Sequence, residues 1–329
     1  MVRRGQLVVG FPIDEGVLDF QLMYPAGIVS PAYGVWNLLR AQDCDPVYLK
    51  LFLRSPQALA YYKGKLRGST ARRRSLPQEL FLALPVPLPS LEEQKRIAAI
   101  LDKADAIRAK RRQVLTHLDA LTQSIYCDFF RSLSTRQTKP LGSLALKVVV
   151  GHVGPTSQHF CAAGVPFLRT GNVGHGRVLT NNLAHVTNEF HKRLKKSQLR
   201  AGDVLISRVI TDEVRAAMLP DDLEGANCAN IIVVRPSELL LGPTVVGYLA
   251  LPSTQRRLIG RRVGSAQGVV NTTVLKQLAV PVYSLGEQRS LAATVQQIAN
   301  QRQTLERSLT IDDCLFNSLQ ARAFRGELC

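Results

Sequence analysis

Two arginine-rich loops with glycines at their centres are the stretches of this sequence best suited to bind a polyanion. The first runs from Lys63 to Arg74, where Gly68 and Ser69 allow main-chain N–H groups to approach an anion. Its candidates for phosphate contact are Arg67, Arg72, Arg73 and Arg74. The second loop repeats the pattern, with Arg256, Arg257, Arg261 and Arg262 ahead of Gly264 to Gly268. A solvated charged loop without a ligand is the alternative interpretation of the first loop.

The residues that commonly carry catalysis form no recognisable set in this sequence. Neither His152 with His159 nor His185 with His191 has the H-E-x-x-H spacing of a zinc site. The acidic run from Asp221 to Glu224 is typical of a solvated turn, and the Gly171 to Gly176 loop lacks the Lys-Ser/Thr ending of a phosphate-binding loop. The sequence therefore predicts no enzyme activity and no metal or nucleotide site.

The overall charge favours nucleic acid as the partner. The 329 residues include 42 Lys and Arg against 25 Asp and Glu, a formal charge of +17, which favours a polyanion through counterion release. The six cysteines are scattered without a C-x-x-C pair, and no apolar run approaches the roughly 20 residues that a membrane span needs. We expect a cytoplasmic protein with no membrane association.

The elements that would position these loops are set by an internal repeat. The stretch from Pro87 to Gln94 recurs from Pro281 to Gln288, and Pro87, Ser90 and Gln94 each lie 194 positions before their counterparts. Each copy is a proline-containing strand end followed by the start of a long helix. Ser90 is the predicted N-cap of the first helix, and Glu93, three residues later, predicts a capping box.

The two helices that follow the repeat carry a 3.5-residue apolar period typical of a coiled coil. The first predicted seam is Ile97, Ile100, Ala104, Ile107, Val114, Leu118, Leu121 and Ile125, with Arg111 filling a gap. The second is Leu291, Val295, Ile298, Leu305, Leu309, Phe316, Leu319 and Ala323, with Arg302 and Asp312 filling gaps. We expect the helices to pack on each other in antiparallel orientation, although parallel pairing is an alternative, and the three charged residues to set register or face a partner.

The fold class that follows is α+β, with two α/β recognition units separated and closed by the two helices. Predicted boundaries are 1–90 for a partial first unit, 91–138 for the central spacer helix, 139–284 for the complete second unit and 285–329 for the C-terminal helix. Aligning the copies places Gly5 opposite Gly202 and Gly68 opposite Gly264. We therefore expect the first unit to lack the front that the second possesses.

The motif at the start of the helices resembles that of the specificity subunit of type I restriction-modification enzymes. Leu84 to Ile97 matches the family pattern L-P-x-P-L-P-x-L-E-E-Q-x-x-I closely, and the copy that begins at Pro281 matches it in part. Gly202-Asp203-Val204, Gly264-Ser265 with Gln267, and the stretch from Gly27 to Tyr33 also resemble family stretches. The resemblance implies a subunit that reads a bipartite DNA target, one half per recognition domain. Its two helices would set the gap between the halves and dock methyltransferase subunits.

The resemblance also implies where base discrimination would arise. Arg reads guanine and Asn or Gln reads adenine in the major groove. The candidates on loops of the complete unit are Arg169, Asn172, Arg177, Arg208, Gln267 and Asn271. The candidates for partner docking and spacing are Ile97, Ile107, Leu118, Leu121, Leu291, Ile298, Leu305 and Leu309.

S-adenosylmethionine, ATP and Mg²⁺ are expected only in partner subunits, namely the modification subunits and, through the complex, the restriction and translocase subunit. The competing hypotheses are a basic coiled-coil adaptor without sequence preference and a remnant that no longer functions.

Overall fold

A computed structural model describes residues 1–66, 76–131, 136–210, 213–259 and 268–328. Its helices are α1 (Pro46–Leu53), α2 (Pro56–Lys65), α3 (Gln78–Leu82), α4 (Leu91–Phe129), α5 (Leu141–Leu144), α6 (Asn188–Arg193), α7 (Gly242–Ala250), α8 (Pro252–Ile259), α9 (Thr272–Lys276) and α10 (Leu285–Phe324). None of these helices is long and apolar enough to cross a bilayer.

The strands are short and occur in groups between the helices. They are β1 (Val2–Arg3), β2 (Leu7–Val9), β3 (Leu18–Phe20), β4 (Ala26–Gly27), β5 (Gly34–Trp36), β6 (Thr138–Pro140), β7 (Ala145–Val150), β8 (Phe160–Cys161), β9 (Val165–Leu168), β10 (Ala184–Val186), β11 (Val204–Ser207), β12 (Val209–Ile210), β13 (Ala216–Met218), β14 (Asn227–Cys228), β15 (Ile231–Pro236), β16 (Gly268–Val269) and β17 (Ala279–Pro281). The predicted α+β class is confirmed.

The chain divides into two compact units, each built from more than one stretch of sequence. Unit 1 comprises Met1–Leu115 and Thr304–Cys329, and unit 2 comprises Thr116–Gln303. The helices α4 and α10 therefore each contribute residues to both units.

Unit 1 has a small antiparallel sheet, in the order β3-β2-β5, packed with helices α1 and α2. The centre of its core is aromatic, with Tyr48 and Phe52 of α1 both fully buried. The C-terminal turn of α10 completes this core, since the ring of Phe324 lies 5.6 Å from that of Tyr48 and 5.1 Å from that of Phe52. The last turn of the chain's final helix is thus part of the core of the first domain.

Unit 2 contains two four-stranded sheets, ordered β13-β11-β15-β7 and β14-β9-β10-β8. The run Val204-Leu205-Ile206 of β11 is apolar at every position because both faces of its strand are covered. Val204 and Ile206 join a core that includes α7, whereas Leu205 joins a second core with Leu168 of β9. The segment between β9 and β10 of the second sheet carries three of the predicted DNA-reading residues, Arg169, Asn172 and Arg177.

The C-terminal part of α4 closes the first of these cores, as α10 does in unit 1. The ring of Phe130 lies 5.5 Å from that of Tyr248 on α7. A Cβ atom at Gly247 would overlap the ring of Tyr126, so only glycine permits α7 to approach α4 so closely.

Within each unit the segments of α4 and α10 run antiparallel, as predicted. In unit 1, Arg108 Nε lies 2.6 Å from Asp313 Oδ1, and Arg111 pairs with Asp312. In unit 2, Arg302 pairs with Asp119. Three charged residues that interrupt the apolar pattern, Arg111, Arg302 and Asp312, therefore form interhelical ion pairs.

The seam predicted for α10 is confirmed, because Leu291, Ile298, Phe316 and Ala323 are buried, and Leu305 and Leu309 are half-buried. The seam predicted for α4 is wrong at three of its eight apolar positions. Ile97, Ile100, Ala104, Leu118 and Ile125 are buried or half-buried as predicted, and Leu101, Arg108 and Leu115 join them on this side of the helix. Arg108 displaces Ile107 from the seam because its guanidinium stacks on Phe316 at 4.2 Å while it pairs with Asp313. Ile107, Val114 and Leu121 are exposed.

A buried glutamine fixes each copy of the repeated motif. Gln94 Oε1 accepts from Asp45 N at 2.9 Å, and Gln94 Nε2 donates to Asp43 O at 3.0 Å and to Pro89 O at 2.8 Å. Gln288 repeats this set, accepting from Leu241 N at 2.8 Å and donating to Leu239 O and Tyr283 O at 3.0 Å each. Each side chain thus ties the start of a long helix to the segment just before α1 or α7.

Capping differs between the two copies. Ser90 Oγ accepts from Glu93 N at 3.3 Å, which confirms the N-cap, but the Glu93 carboxylate pairs with Arg96 instead of closing the predicted box. In the second copy the box is complete, since Ser284 N donates to Glu287 Oε2 at 2.8 Å. Hydrogen bonds from Arg136 and Ser284 lower the pKa of Glu287 to about 2.

We predict that Gln94→Ala lowers the free energy of unfolding of unit 1 by at least about 2 kcal/mol, because one buried donor and two acceptors lose their partner. Urea titration followed by the fluorescence of Trp36, the only tryptophan of the sequence, measures this transition. Gln113→Ala, an exposed change on the same helix, should stay within about 0.5 kcal/mol of the unaltered chain. Equal losses in the two variants would contradict the proposed role of Gln94.

Candidate nucleic-acid interface

The predicted DNA-contacting residues fall into two groups in the structure. Arg67, Arg72, Arg73, Arg74 and Gln267 lie outside the described residues, so their roles stay predictions. Arg169, Asn172, Arg177, Arg208 and Asn271 are described, and all five belong to unit 2.

Asn172 anchors the loop that follows β9. It is only 4% exposed. Its Oδ1 accepts from Arg169 N at 2.9 Å, and its Nδ2 donates to Leu179 O at 2.8 Å. Both ends of the amide are engaged within the loop, so this side chain holds the backbone that carries Arg169.

Arg169 is exposed at the edge of a cleft. Its guanidinium lies 5.7 Å from the centre of the Phe160 ring, and its Nη2 donates to Asn182 O at 3.3 Å. These two contacts orient a group that has five N–H donors in total. Arg169 can therefore be held in place and still present donors to a ligand.

Asn230 lies on a neighbouring loop between β14 and β15. Its N–H donates to His152 O at 3.0 Å, and its carbonyl accepts from Thr170 Oγ1 at 2.9 Å. Arg208 Nη1 lies 3.5 Å from Asn230 Oδ1, at the long end of hydrogen-bond range. Arg208 is thereby brought beside the same group of loops.

These loops surround a cleft of about 470 Å³. The residues that line it are Gly154, Thr156, Arg169, Thr170, Gly171, Asn172, Asn181, Asn182, Ala229 and Asn230. The described lining has no carboxylate, and its polar side chains are hydroxyls, amides and one guanidinium. Such a surface favours a ligand rich in hydrogen-bond acceptors or negative charge.

Two predicted residues lie away from this cleft. Arg177 lines a separate cavity that also includes His175 and Glu213, whose Nε2 and Oε1 atoms are 2.7 Å apart. Asn271 is the N-cap of α9, where its Oδ1 accepts from Thr273 N at 2.8 Å. The structure thus brings Arg169, Asn172 and Arg208 together, but not Arg177 or Asn271.

Asn181, Asn182 and Asn230 were missed by sequence reasoning. Asn182 and Asn230 adopt left-handed backbone conformations, with φ of 59° and 53°. Asparagine tolerates this region better than most residues. The Asn181-Asn182 pair was therefore a usable signal for a turn, whereas nothing around Asn230 in the sequence marked its position.

The Gly202-Asp203 motif has a structural role in this unit. Asp203 is fully buried, and its carboxylate accepts from Arg235 Nε at 2.8 Å and Nη2 at 2.7 Å. It also accepts from Arg200 N at 2.9 Å, while Gly202 adopts a φ of 79°. This bidentate pair closes the turn into β11, and both oxygens of the Asp203 carboxylate are engaged in it.

Among the residues described, no three His, Cys, Asp or Glu side chains converge on a metal-binding arrangement. Burial raises the pKa of the Cys228 thiol to about 12, with Asp203 acting in the same direction. Cys228 is accordingly a buried structural thiol rather than a nucleophile.

A second surface of interest lies on the helix segments of unit 1. Ile107 and Val114 of α4 are 44% and 42% exposed, and Ile311 and Leu315 of α10 are 67% and 53% exposed. Ile107 and Leu315 each precede a seam residue, and those seam residues, Arg108 and Phe316, stack on each other. In an antiparallel pair, positions that precede such seam residues flank the same side. We call these four residues the apolar helix face.

Comparison with known proteins finds a matching family model, similar sequences and similar solved structures. Residues 30–117 match the family model described as the type I restriction modification DNA specificity domain. The chain is 22% identical over 276 residues to the EcoBI specificity subunit of Escherichia coli, covering 74% of this chain and 58% of that one. It is 24% identical over 310 residues to the StySPI specificity subunit of Salmonella potsdam, covering 86% and 66%. The chain thus spans 58% to 66% of the length of these relatives.

Two solved structures share the fold. The type I restriction-modification S subunit from M. genitalium superposes with a TM-score of 0.57 at 15% identity, covering 98% of this chain and 84% of that one. A chain from a study of assembly and conformational transition of the type I R-M system superposes with a TM-score of 0.54 at 18% identity, covering 99% and 83%.

We predict that Asn172→Ala speeds hydrogen exchange of the backbone amides of residues 173–179 by roughly thirtyfold, since two hydrogen bonds worth about 1 kcal/mol each are lost. Mass spectrometry of deuterium uptake measures the change. Asn181→Ala, at an exposed position of the cleft rim, is the matched control and should leave exchange in this segment unchanged. Unaltered exchange in Asn172→Ala would show that its amide does not anchor the loop.

Proposed function

We propose that this chain, which belongs to the family of type I restriction-modification specificity subunits, is the DNA-reading subunit of such a complex. The observation that carries the proposal is the duplicated joint between a recognition domain and a long helix. Gln94 and Gln288 make equivalent sets of three hydrogen bonds there. A duplicated domain on a duplicated helix start suits a target with two half-sites.

The target is proposed to be bipartite duplex DNA, with one half read by each unit. The formal charge of +17 supports binding to a phosphate backbone. The cleft of unit 2, with Arg169 at its edge and no carboxylate among its described lining, supports contact with bases in addition. Since α4 and α10 contribute to both units, their lengths are candidates for what fixes the gap between half-sites.

The proposed partners are modification subunits, which would dock on the long helices. The apolar helix face of unit 1 supports this assignment, because exposed apolar side chains at heptad-flanking positions suit packing against further helices. The restriction and translocase subunit would join through that complex, in the cytoplasm. Methyl transfer and DNA translocation, with S-adenosylmethionine, ATP and Mg²⁺, are assigned to the partners, and the chain itself is a non-catalytic recognition subunit.

Selection from random duplex DNA tests the proposal. The full chain, with its modification subunit, is incubated with the pool, and bound fragments are sequenced. Enrichment of one motif with two specified halves and a constant gap is expected. If bound fragments share no motif and shuffled duplexes compete equally well, the chain is a basic adaptor and the proposal fails.

For docking, we predict that Leu315→Glu combined with Ile107→Glu weakens binding of the modification subunit by roughly thirtyfold or more, the effect of a hot-spot loss of about 2 kcal/mol. Both side chains are exposed, so the thermal midpoint of the free subunit should change little. Ala109→Glu, an exposed change at a position of α4 beyond the opposite edge of the seam, serves as the control. Calorimetric titration measures the affinities, and normal binding by the double variant would place docking elsewhere.

A further inference from the structure

We infer that the cleft of unit 2 binds the major-groove edge of a purine in the target DNA, with Arg169 as the residue that discriminates the base and Asn182 and Asn230 as amides that hold it. This inference rests on the proposed function. It adds the site within the unit, the class of base and the residues that select it.

The chemistry of the lining suits a purine edge. Guanine presents two acceptors in the major groove, N7 and O6, and a guanidinium can donate to both at once. Arg169 supplies that fork, while Thr156, Thr170, Asn181, Asn182 and Asn230 add neutral donors and acceptors. A carboxylate would repel the DNA backbone and compete for the arginine, and the described lining has none. The cleft therefore fits an acceptor-rich base edge better than a cation or an apolar ligand.

The backbone of the cleft points to a function for its asparagines. Among the described residues, Asn182 and Asn230 are the two non-glycine positions with positive φ, and both line this cleft. Left-handed conformations of non-glycine residues cluster at binding sites, where the surrounding structure enforces them. Glycine would satisfy either backbone at no steric cost. An amide at both positions places side-chain donors and acceptors at the cleft that glycine would lack.

The two asparagines are held in different ways. Asn182 lies in a tight turn closed by Leu183 N donating to Thr180 O at 3.1 Å, and this turn accounts for its conformation. Asn230 is fixed instead by two other loops, through His152 O and Thr170 Oγ1. Arg208 contacts its Oδ1, which leaves the Nδ2 group of the amide as a donor for a ligand.

Arg169 is positioned in advance of binding. Its backbone is held by the buried amide of Asn172, and its guanidinium is held by Phe160 and by Asn182 O. A side chain that is oriented before the ligand arrives loses less conformational entropy on binding. Such an arrangement favours discrimination between bases over general attraction to phosphate, for which a freely moving lysine or arginine would suffice.

The test uses the full chain with its modification subunit and the motif obtained by selection. Binding is measured by competition against duplexes that each carry one base-pair change, at several salt concentrations. Arg169→Lys keeps the charge but removes the fork, so preference for guanine at one position should fall by roughly ten- to a hundredfold. Preferences at other positions and the salt dependence should not change. Asn182→Gly and Asn230→Gly preserve the backbone conformation and should relax preference at the same or the adjacent base pair.

The matched control is Arg200→Lys, an exposed arginine that lines a different cavity of unit 2 and should leave every preference unaltered. Thermal midpoints establish that each variant is folded. If Arg169→Lys and Asn230→Gly keep the original preference at every position, the inference fails while the proposed function stands. If Arg169→Ala instead weakens all sequences equally and lowers the salt slope by about 1, Arg169 contacts only phosphate and the inference also fails. If the unaltered chain selects no motif, the inference and the proposed function are both wrong.

Discussion

The buried side chain of one glutamine in each repeat is the interaction on which the rest of the structure depends. Gln94 and Gln288 are both buried, and the side chain of each makes three hydrogen bonds to main-chain groups. An amide is the one side-chain group of this size that supplies an acceptor and a double donor together, so neither Glu nor Leu could replace it without leaving a buried polar group unpaired. Because each glutamine sits in the first turn of a long helix, it fixes where that helix begins relative to its domain.

The C-terminal ends of the same two helices also pack in the cores, α10 in unit 1 and α4 in unit 2. Phe324 of α10 packs on Tyr48 at 5.6 Å in unit 1, and Phe130, just after α4, packs on Tyr248 at 5.5 Å in unit 2. The two phenylalanines are 194 positions apart, as are the two glutamines. In each unit, therefore, a glutamine in the first turn of one long helix binds the segment before α1 or α7, and a phenylalanine at the end of the other long helix packs in the core. Each core therefore contains residues of both long helices, with Leu101 and Phe324 in unit 1 and Tyr126 and Leu291 in unit 2.

The architecture could be predicted well because the internal repeat and the apolar periodicity of the two long helices are both visible in the sequence. The α+β class, the antiparallel helices, the seam of α10 and the family resemblance are all confirmed. The seam of α4 was misassigned at Ile107, Val114 and Leu121. At Ile107 the reason is that an apolar pattern cannot foresee that Arg108 would be buried by stacking on Phe316 and pairing with Asp313. The cleft was predicted only in part. Arg169 could be selected from its residue type and its place in a loop. Asn230 is held at the cleft by contacts with Thr170 and His152, which lie far earlier in the sequence, and no local pattern encodes such contacts.

The central claim is that each unit reads its own half of a bipartite target. The most direct measurement replaces residues 139–284 with the corresponding domain of the Escherichia coli relative and determines the selected motif of the chimera with the modification subunit. The account predicts that one half of the motif changes while the other half and the gap remain as they were. A motif that changes in both halves, or in neither, would contradict it.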